Sequence, residues 1–421
     1  MTNSQKCGII GCGSVGAAAA YTLATHGLFS ELVLIDMNRK RAHGEAMDIS
    51  HGVAFSQPCR VIDGDYDDLA DASLVIIAAG VGQKPGESRL DLLARNAAVM
   101  RSIITEIKRV CPDTILLIVS NPVDLLTGIA LRISGFPPER VIGSGTVLDT
   151  ARLKFLLGQQ LKVDSRNVHA FVIGEHGDSE LAVWSSANIS GIDLDDYCAG
   201  RGISDDFSTL FESVRHAAYE IIEGKGATYY GIAMSVLRIA TCIVRGERGV
   251  LPVSCYADGH YGLNEVCIGL PCVVGRNGIE TVLDIPLSDE ERSQLQRSAK
   301  TLKDALDALE LEDLSWIPLA GLHGMATESL RQRHGLHLQY HGYDLYRLFS
   351  LVQDGKCALL LPKCLVPERM DGLIWLPLEH VEPWTLCSVC LRSMENNVLY
   401  HTTIDELQSA VFGHAESETA E

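Results

Sequence analysis

Four separated segments carry side chains whose types and spacing suit acid–base chemistry on a small anionic substrate. Gly174-Glu175-His176-Gly177-Asp178 sets a histidine in a tight, glycine-flanked segment after an apolar run. Histidine titrates near neutral pH and can exchange a proton with a hydroxyl or carbonyl, although a lone histidine is more often structural. Leu148-Asp149-Thr150-Ala151-Arg152 places a carboxylate and a guanidinium three apart on one helix face. One reading is an intrahelical salt bridge. The other separates them: Asp149 orients and charges His176, raising its pKa, and Arg152 grips a substrate carboxylate in a planar fork. Gly82-Gln83-Lys84-Pro85-Gly86-Glu87-Ser88-Arg89 is a Gly/Pro-punctuated loop of the kind that closes over a site. From it Arg89 could polarise a carbonyl, or simply stand solvated. Ser120-Asn121-Pro122 ends an apolar run and brings Asn121 to a strand end.

These groups need a scaffold, and the first half of the chain supplies the pattern of one. Cys7–Gly11, Glu31–Asp36, Ser73–Gly80, Thr114–Pro122 and Arg140–Gly145 are short apolar runs ending in turn residues, with helical stretches between them such as Val15–His26 and Leu90–Val110. Strands that are apolar throughout imply a parallel sheet covered on both faces, and the alternation implies a doubly wound α/β domain. The first strand–helix turn, Gly11-Cys12-Gly13-Ser14-Val15-Gly16, fits G-x-G-x-x-G. Gly11 allows the tight turn, Gly13 lets a pyrophosphate approach the backbone at a helix N-terminus, and Gly16 lets helix and strand pack closely. The plainer alternative is a turn and a helix contact. Asp36, twenty residues past Gly16, would bind a ribose 2′-hydroxyl and repel a 2′-phosphate, which favours NAD over NADP.

Bulk properties narrow the class. The net charge of −19 argues against nucleic-acid binding, and no apolar run has the ~18 residues of a membrane helix. The start, MTNSQK, leads straight into a strand, so no signal peptide is expected. The thirteen scattered cysteines then read as reduced thiols in a cytoplasm. Residues 310–421 hold three of four tryptophans and carry 7 basic against 16 acidic side chains, so they are set apart from the body as a tail of different origin.

Residues 1–309 resemble the lactate/malate dehydrogenase family, and within it the NAD-dependent L-lactate dehydrogenases. The resemblance runs in order through the glycine fingerprint, Asp36, GQKPGESRLDL, SNPVD, GSGTVLDTAR, GEHGDSE and KGATYYGIA. It implies that His176 is the proton donor and acceptor, Asp149 its partner, Arg152 the carboxylate anchor and Arg89 the carbonyl-polarising group. It further implies that Asn121 contacts nicotinamide and substrate, Thr228 lines the pocket and Ile232 packs on the nicotinamide face. Gly11, Gly13, Ser14, Val15, Gly16, Asp36 and Gly80 would hold the dinucleotide. Hydride would pass from NADH to C2 of pyruvate as His176 gives a proton, and the reverse would oxidise L-lactate. Malate-specific members carry arginine where Gln83 stands, and a neutral glutamine suits a methyl group better than a second carboxylate. Malate and branched 2-hydroxy acids remain alternative substrates, and a non-enzymatic ligand-sensing fusion the alternative class.

The family also implies a homotetramer and, in many bacterial members, activation by fructose 1,6-bisphosphate. The matching positions are Lys154 and His169, with lysine where arginine is usual. The expected architecture is an NAD-binding Rossmann domain over 1–145, an α+β catalytic domain over 146–309 and a C-terminal α/β extension over 310–421. Within the extension, helix-like Tyr343–Gln353, strand-like Cys357–Pro362, Gly372–Leu378 and Trp384–Leu391, and helix-like Thr403–Phe412 resemble half of a LysR-type regulator's effector-binding domain. Cys387 and Cys390 have C-x-x-C spacing but lack the second pair that zinc needs, and no metal site is expected.

Overall fold

A computed structural model of the chain describes residues 5–82, 89–204 and 207–312, and four further strands beyond them. It divides into two compact units, Met1–Asp307 and Ala308–Glu421.

The first unit opens with β1 (Lys6–Ile10), α1 (Ser14–Thr25), β2 (Glu31–Ile35), α2 (Arg39–Val53) and β3 (Arg60–Asp63). There follow β4 (Ala72–Ile77), α3 (Arg89–Val110), β5 (Ile115–Ile118), α4 (Val123–Ser134) and β6 (Val141–Gly143). These six strands pair in parallel in the order β3-β2-β1-β4-β5-β6. The apolar runs are buried as expected: every residue of β5 and all but the first of β1 and β2. Each such Leu, Ile or Val contributes about 1.5–3 kcal/mol by leaving water. The sequence pattern missed β3, whose RVID exposes both charged ends.

The chain continues through α5 (Val147–Leu161), β7 (Val168–Ile173), β8 (Leu181–Ile189), β9 (Ile192–Asp193), α6 (Leu194–Ala199), α7 (Phe207–Lys225) and α8 (Tyr230–Arg245). It ends with β10 (Gly249–Ala257), β11 (Val266–Gly275), β12 (Gly278–Val282) and α9 (Asp289–Glu312). β7, β8 and β9 form their own antiparallel sheet. β10, β11 and β12 instead extend the parallel sheet in antiparallel fashion, through the contact of Ser254 with Gly143, giving nine strands. The purely parallel sheet that the sequence suggested is therefore the first two-thirds of a mixed one.

In the second unit β13 (Ser315–Pro318), β14 (Cys357–Pro362), β15 (Leu373–Pro377) and β16 (Leu386–Leu391) form a sheet in the order β13-β14-β16-β15. The three strands expected there are present, and Cys387 and Cys390 both fall in β16. The helices expected at Tyr343–Gln353 and Thr403–Phe412 lie outside the described residues. The nine cysteines of the first unit are free thiols, eight of them buried, and among the described residues no helix is long and apolar enough to cross a membrane.

Candidate active site

His176 sits on the loop from β7 to β8, and four elements hold that loop. Gly174 adopts φ +95°, a left-handed conformation that suits glycine, and trades two 3.0 Å backbone hydrogen bonds with Gly269 of β11. The His176 N–H donates to Asp124 Oδ2 of α4 at 2.7 Å. The Glu175 N–H donates to Ser298 Oγ of α9 at 2.8 Å, and Ser179 Oγ lies 2.9 Å from the same hydroxyl. Arg215 of α7 donates to the carbonyls of Asp178 and Glu180. A loop fixed this many ways presents its imidazole already oriented.

The imidazole Nδ1 lies 2.6 Å from Asp149 Oδ2, and Arg152 Nη1 lies 2.7 Å from Asp149 Oδ1. The salt bridge to Arg152 and the orientation of His176 by Asp149 thus coexist on one carboxylate, an oxygen for each partner. Asp149 is enclosed, with 3% of its side chain exposed, while His176, its Nδ1 engaged by Asp149, keeps 26%. Burial by itself would lower the His176 pKa, but the Asp149 charge and hydrogen bond, helped by Asp124 and Glu180, lift it to about 9. Burial opposes ionisation of Asp149, yet the two cations beside it hold it below the ordinary carboxylate range. Burial pushes Asp124 up to about 6, and burial with the nearby Asp149 charge pushes Glu180 up to about 8. Asp149, His176 and Glu180 bring ligand-type atoms within 4.8 Å of one another. Both Asp149 oxygens are already engaged, so the set suits a hydrogen-bonded acid–base pair better than a cation.

A second group gathers at the carboxyl ends of β1, β2, β4 and β5, where the strand order reverses and open α/β sheets bind ligands. Gly11 has φ +95°, and a Cβ there would come within 2.5 Å of the Ala79 backbone. A Cβ on Gly16 would collide with the Gly11 carbonyl, whereas one on Gly13 would meet nothing within 4 Å. Open space thus faces the start of α1, where Ser14 and Val15 lie and no side chain caps the helix, so backbone N–H groups remain for an anion. Asp36 accepts from the N–H groups of Cys12 at 2.7 Å and Asn38 at 2.8 Å. It lines a cavity of about 190 Å³ with Arg39, Asp63, Asp65 and Asp68, a carboxylate-rich surrounding that favours hydroxyls over phosphate. These residues fit a dinucleotide. Gly80 and Asn121 lie exposed at the ends of β4 and β5. Buried Asn96 of α3 ties the two ends together, accepting from the Val81 N–H at 2.8 Å and donating to the Asn121 carbonyl at 3.3 Å.

Arg89 is the first residue of α3, and Gln83 lies outside the described residues. Thr228 and Ile232 flank the start of α8, half-buried, and a Cβ on Gly231 between them would touch Leu148 of α5. The turn carrying Thr228 is clamped by Lys225, whose Nζ lies 3.4 Å from the Tyr229 ring centroid and 4.0 Å from that of Tyr230. Lys154 is half-buried on α5, which lowers its pKa, and His169 is exposed on β7, the strand against which α5 packs. Sequence reasoning did not single out Asp124, Glu180, Asn96, Arg215 or Ser298. Asp124 and Glu180 lay inside the quoted SNPVD and GEHGDSE segments, where burial was the missing signal. Nothing in a single sequence marks Arg215 or Ser298.

Comparison with known proteins adds to this geometry. The family "lactate/malate dehydrogenase, NAD binding domain" matches residues 5–143, and "lactate/malate dehydrogenase, alpha/beta C-terminal domain" matches residues 146–312. The chain is similar to the L-lactate dehydrogenase of Acetivibrio thermocellus, 51% identical over 312 residues, or 73% of this chain and 98% of that protein. It is 47% identical over 312 residues to L-lactate dehydrogenase 1 of Clostridium acetobutylicum, or 73% of this chain and all of that protein. Among solved structures, a lactate dehydrogenase from a Medee basin deep-sea metagenome library matches with TM-score 0.72 at 43% identity. The minor L-lactate dehydrogenase of Enterococcus mundtii matches with TM-score 0.71 at 42% identity. Each of these two covers 73% of this chain and 99% of its own.

Proposed function

Because the chain belongs to the lactate/malate dehydrogenase family, we infer that it is an NAD-dependent L-lactate dehydrogenase interconverting pyruvate and (S)-lactate. The observation that carries this reading is one Asp149 carboxylate bonded both to His176 and to Arg152, in a chain about half identical to curated L-lactate dehydrogenases.

NAD supplies the hydride chemistry at the substrate's C2. Gly11, Gly13, Ser14, Val15, Gly16, Asp36, Gly80, Asn121 and Ile232 would hold it, a role that the open face of Gly13 and the acidic pocket at Asp36 support. The chain's own residues do the rest. Arg152 anchors the substrate carboxylate with the guanidinium edge that Asp149 leaves free. Protonated His176 gives its Nε2 proton to the carbonyl oxygen during reduction and takes it back during oxidation, while Asp149 stabilises the imidazolium. Arg89 polarises the carbonyl, Asn121 orients it, Thr228 lines the pocket, and neutral Gln83 favours a methyl over a second carboxylate.

Oxidation of NADH by pyruvate, set against oxaloacetate and branched 2-oxo acids, tests the assignment. Pyruvate is expected to give the highest kcat/KM, and Gln83→Arg to move the preference toward oxaloacetate. Faster oxaloacetate turnover by the wild type would reassign the substrate. Inactivity with every 2-oxo acid would favour the ligand-sensing alternative.

The remaining expectations belong to the same reading. The enzyme is cytoplasmic and homotetrameric, with an NAD-binding domain over 1–145, a catalytic domain over 146–309 and a regulator-derived LysR-type remnant over 310–421. Lys154 and His169 bind fructose 1,6-bisphosphate, Lys154 as a point charge without bidentate geometry. Titration of the bisphosphate at subsaturating pyruvate checks this: an unchanged affinity for pyruvate retires the site.

A further inference from the structure

We propose that Glu180, at the far end of the catalytic loop, is a positioning residue that acts through His176, forming with it and Asp149 a three-group acid–base unit that keeps the imidazole protonated. The proposal deepens the enzyme reading and rests on it.

Glu180 is 5% exposed, and a carboxyl oxygen of it lies within 4.8 Å of both an Asp149 oxygen and a His176 ring nitrogen. Burying a carboxyl is costly unless it is used, so its retention here is informative. Its backbone is pinned at both ends, the N–H donating to Gly177 O at 3.2 Å and the carbonyl accepting from Arg215 Nη2 at 3.3 Å. The charged groups around the pair come from three elements: Asp149 and Arg152 of α5, Asp124 of α4, and Arg215 of α7.

Most of these charges are already matched. Asp149 and Arg152 bond one another, Asp124 accepts the His176 backbone N–H, and Arg215 pairs with Glu212 as well as with the two loop carbonyls. Glu180 is the adjustable counter-charge. Its carboxyl, lifted to about 8, stays neutral at low pH and ionises as pH rises, placing negative charge beside the imidazolium as that ion begins to lose its proton. No bond is made or broken by Glu180. Its effect is on where His176 holds its proton, and the two groups shed their protons as a coupled unit.

The test is the pH profile of kcat/KM for pyruvate in Glu180→Gln, which removes the charge and keeps the shape. The alkaline limb is expected about one pH unit lower, the effect of one nearby charge, so that the loss at pH 9 exceeds the loss at pH 6 by about fivefold. A uniform loss with an unmoved limb would mean that Glu180 is merely structural, and would overturn the proposal. If the variant does not fold, the wild type decides. The ¹⁵N resonances of His176, assigned by their absence in His176→Asn, should titrate in two steps, and a single step overturns the idea. A wild type that reduces no 2-oxo acid would defeat the enzyme reading separately, without touching the titration result.

Discussion

Asp149 serves two cations from a site that excludes water, and this sets the pH behaviour of the reaction. With His176 lifted to about 9, reduction of pyruvate needs the protonated form and should hold its kcat/KM through neutral pH, falling as pH rises through about 9. Oxidation of lactate needs the neutral form and should rise over the same range. A limb near the ordinary histidine value of about 6.5 would contradict the Asp149–His176 coupling. The same shift bears on stability. The folded state binds this proton more tightly than the unfolded chain, so the stabilisation is full below about 6.5 and fades as pH rises through about 9. Glu180 and Asp124, also shifted upward, act in the same direction over lower ranges. Replacing His176 by glutamine should lower kcat by about 10²–10⁴-fold, the usual contribution of a positioned general acid, as steady-state assays would show.

The loop that bears His176 draws its rigidity from elements far away in sequence. Ser298 of α9 is fully buried and serves the Glu175 N–H and the Ser179 hydroxyl together. Ser298→Ala would leave the Glu175 N–H without its acceptor, at about 1–3 kcal/mol, while the Ser179 hydroxyl keeps its bond to the Glu175 carboxylate. The melting temperature should drop by several degrees and kcat should fall, while KM for NADH holds because the cradle proposed for it lies at β1, α1 and β2. A thermal melt beside a kinetic split checks this, and a KM for NADH that rises with kcat unmoved would contradict it. The contrast between Ser298 and His176 also shows what a sequence can carry. The parallel strands were legible because both faces are buried and each run is apolar throughout. The glycine turn was legible because backbone sterics demand glycine at Gly11 and Gly16. β3 was not, since only Val61 in it is buried. The β10–β12 extension was not, because its attachment is one contact between residues 111 positions apart. Asp149, Arg152 and His176 could be named from their motifs, but their sharing of one carboxylate could not, because i,i+3 spacing fits a salt bridge equally well.

At the scale of the molecule, the unit Met1–Asp307 contains every described member of the site, and both family matches end at or before residue 312. A chain cut after Glu312, which spares the whole of α9, should therefore retain kcat and KM for pyruvate. Loss of activity at an unchanged melting temperature would show that residues beyond 312 take part in catalysis. The manner in which α9 is held gives that boundary a further meaning. Leu295, Ser298, Ala299, Leu302, Leu306 and Leu309 commit one face of the helix to burial, and the helix ends at Glu312. Sequence joined there begins on a helix that the enzyme already holds, with the Ser298 hydroxyl that braces the His176 loop upstream of the junction. Such an end is a permissive graft site: sequence appended beyond it can vary under little selection from the reaction, and the enzyme can be inherited intact while the addition is kept, altered or lost.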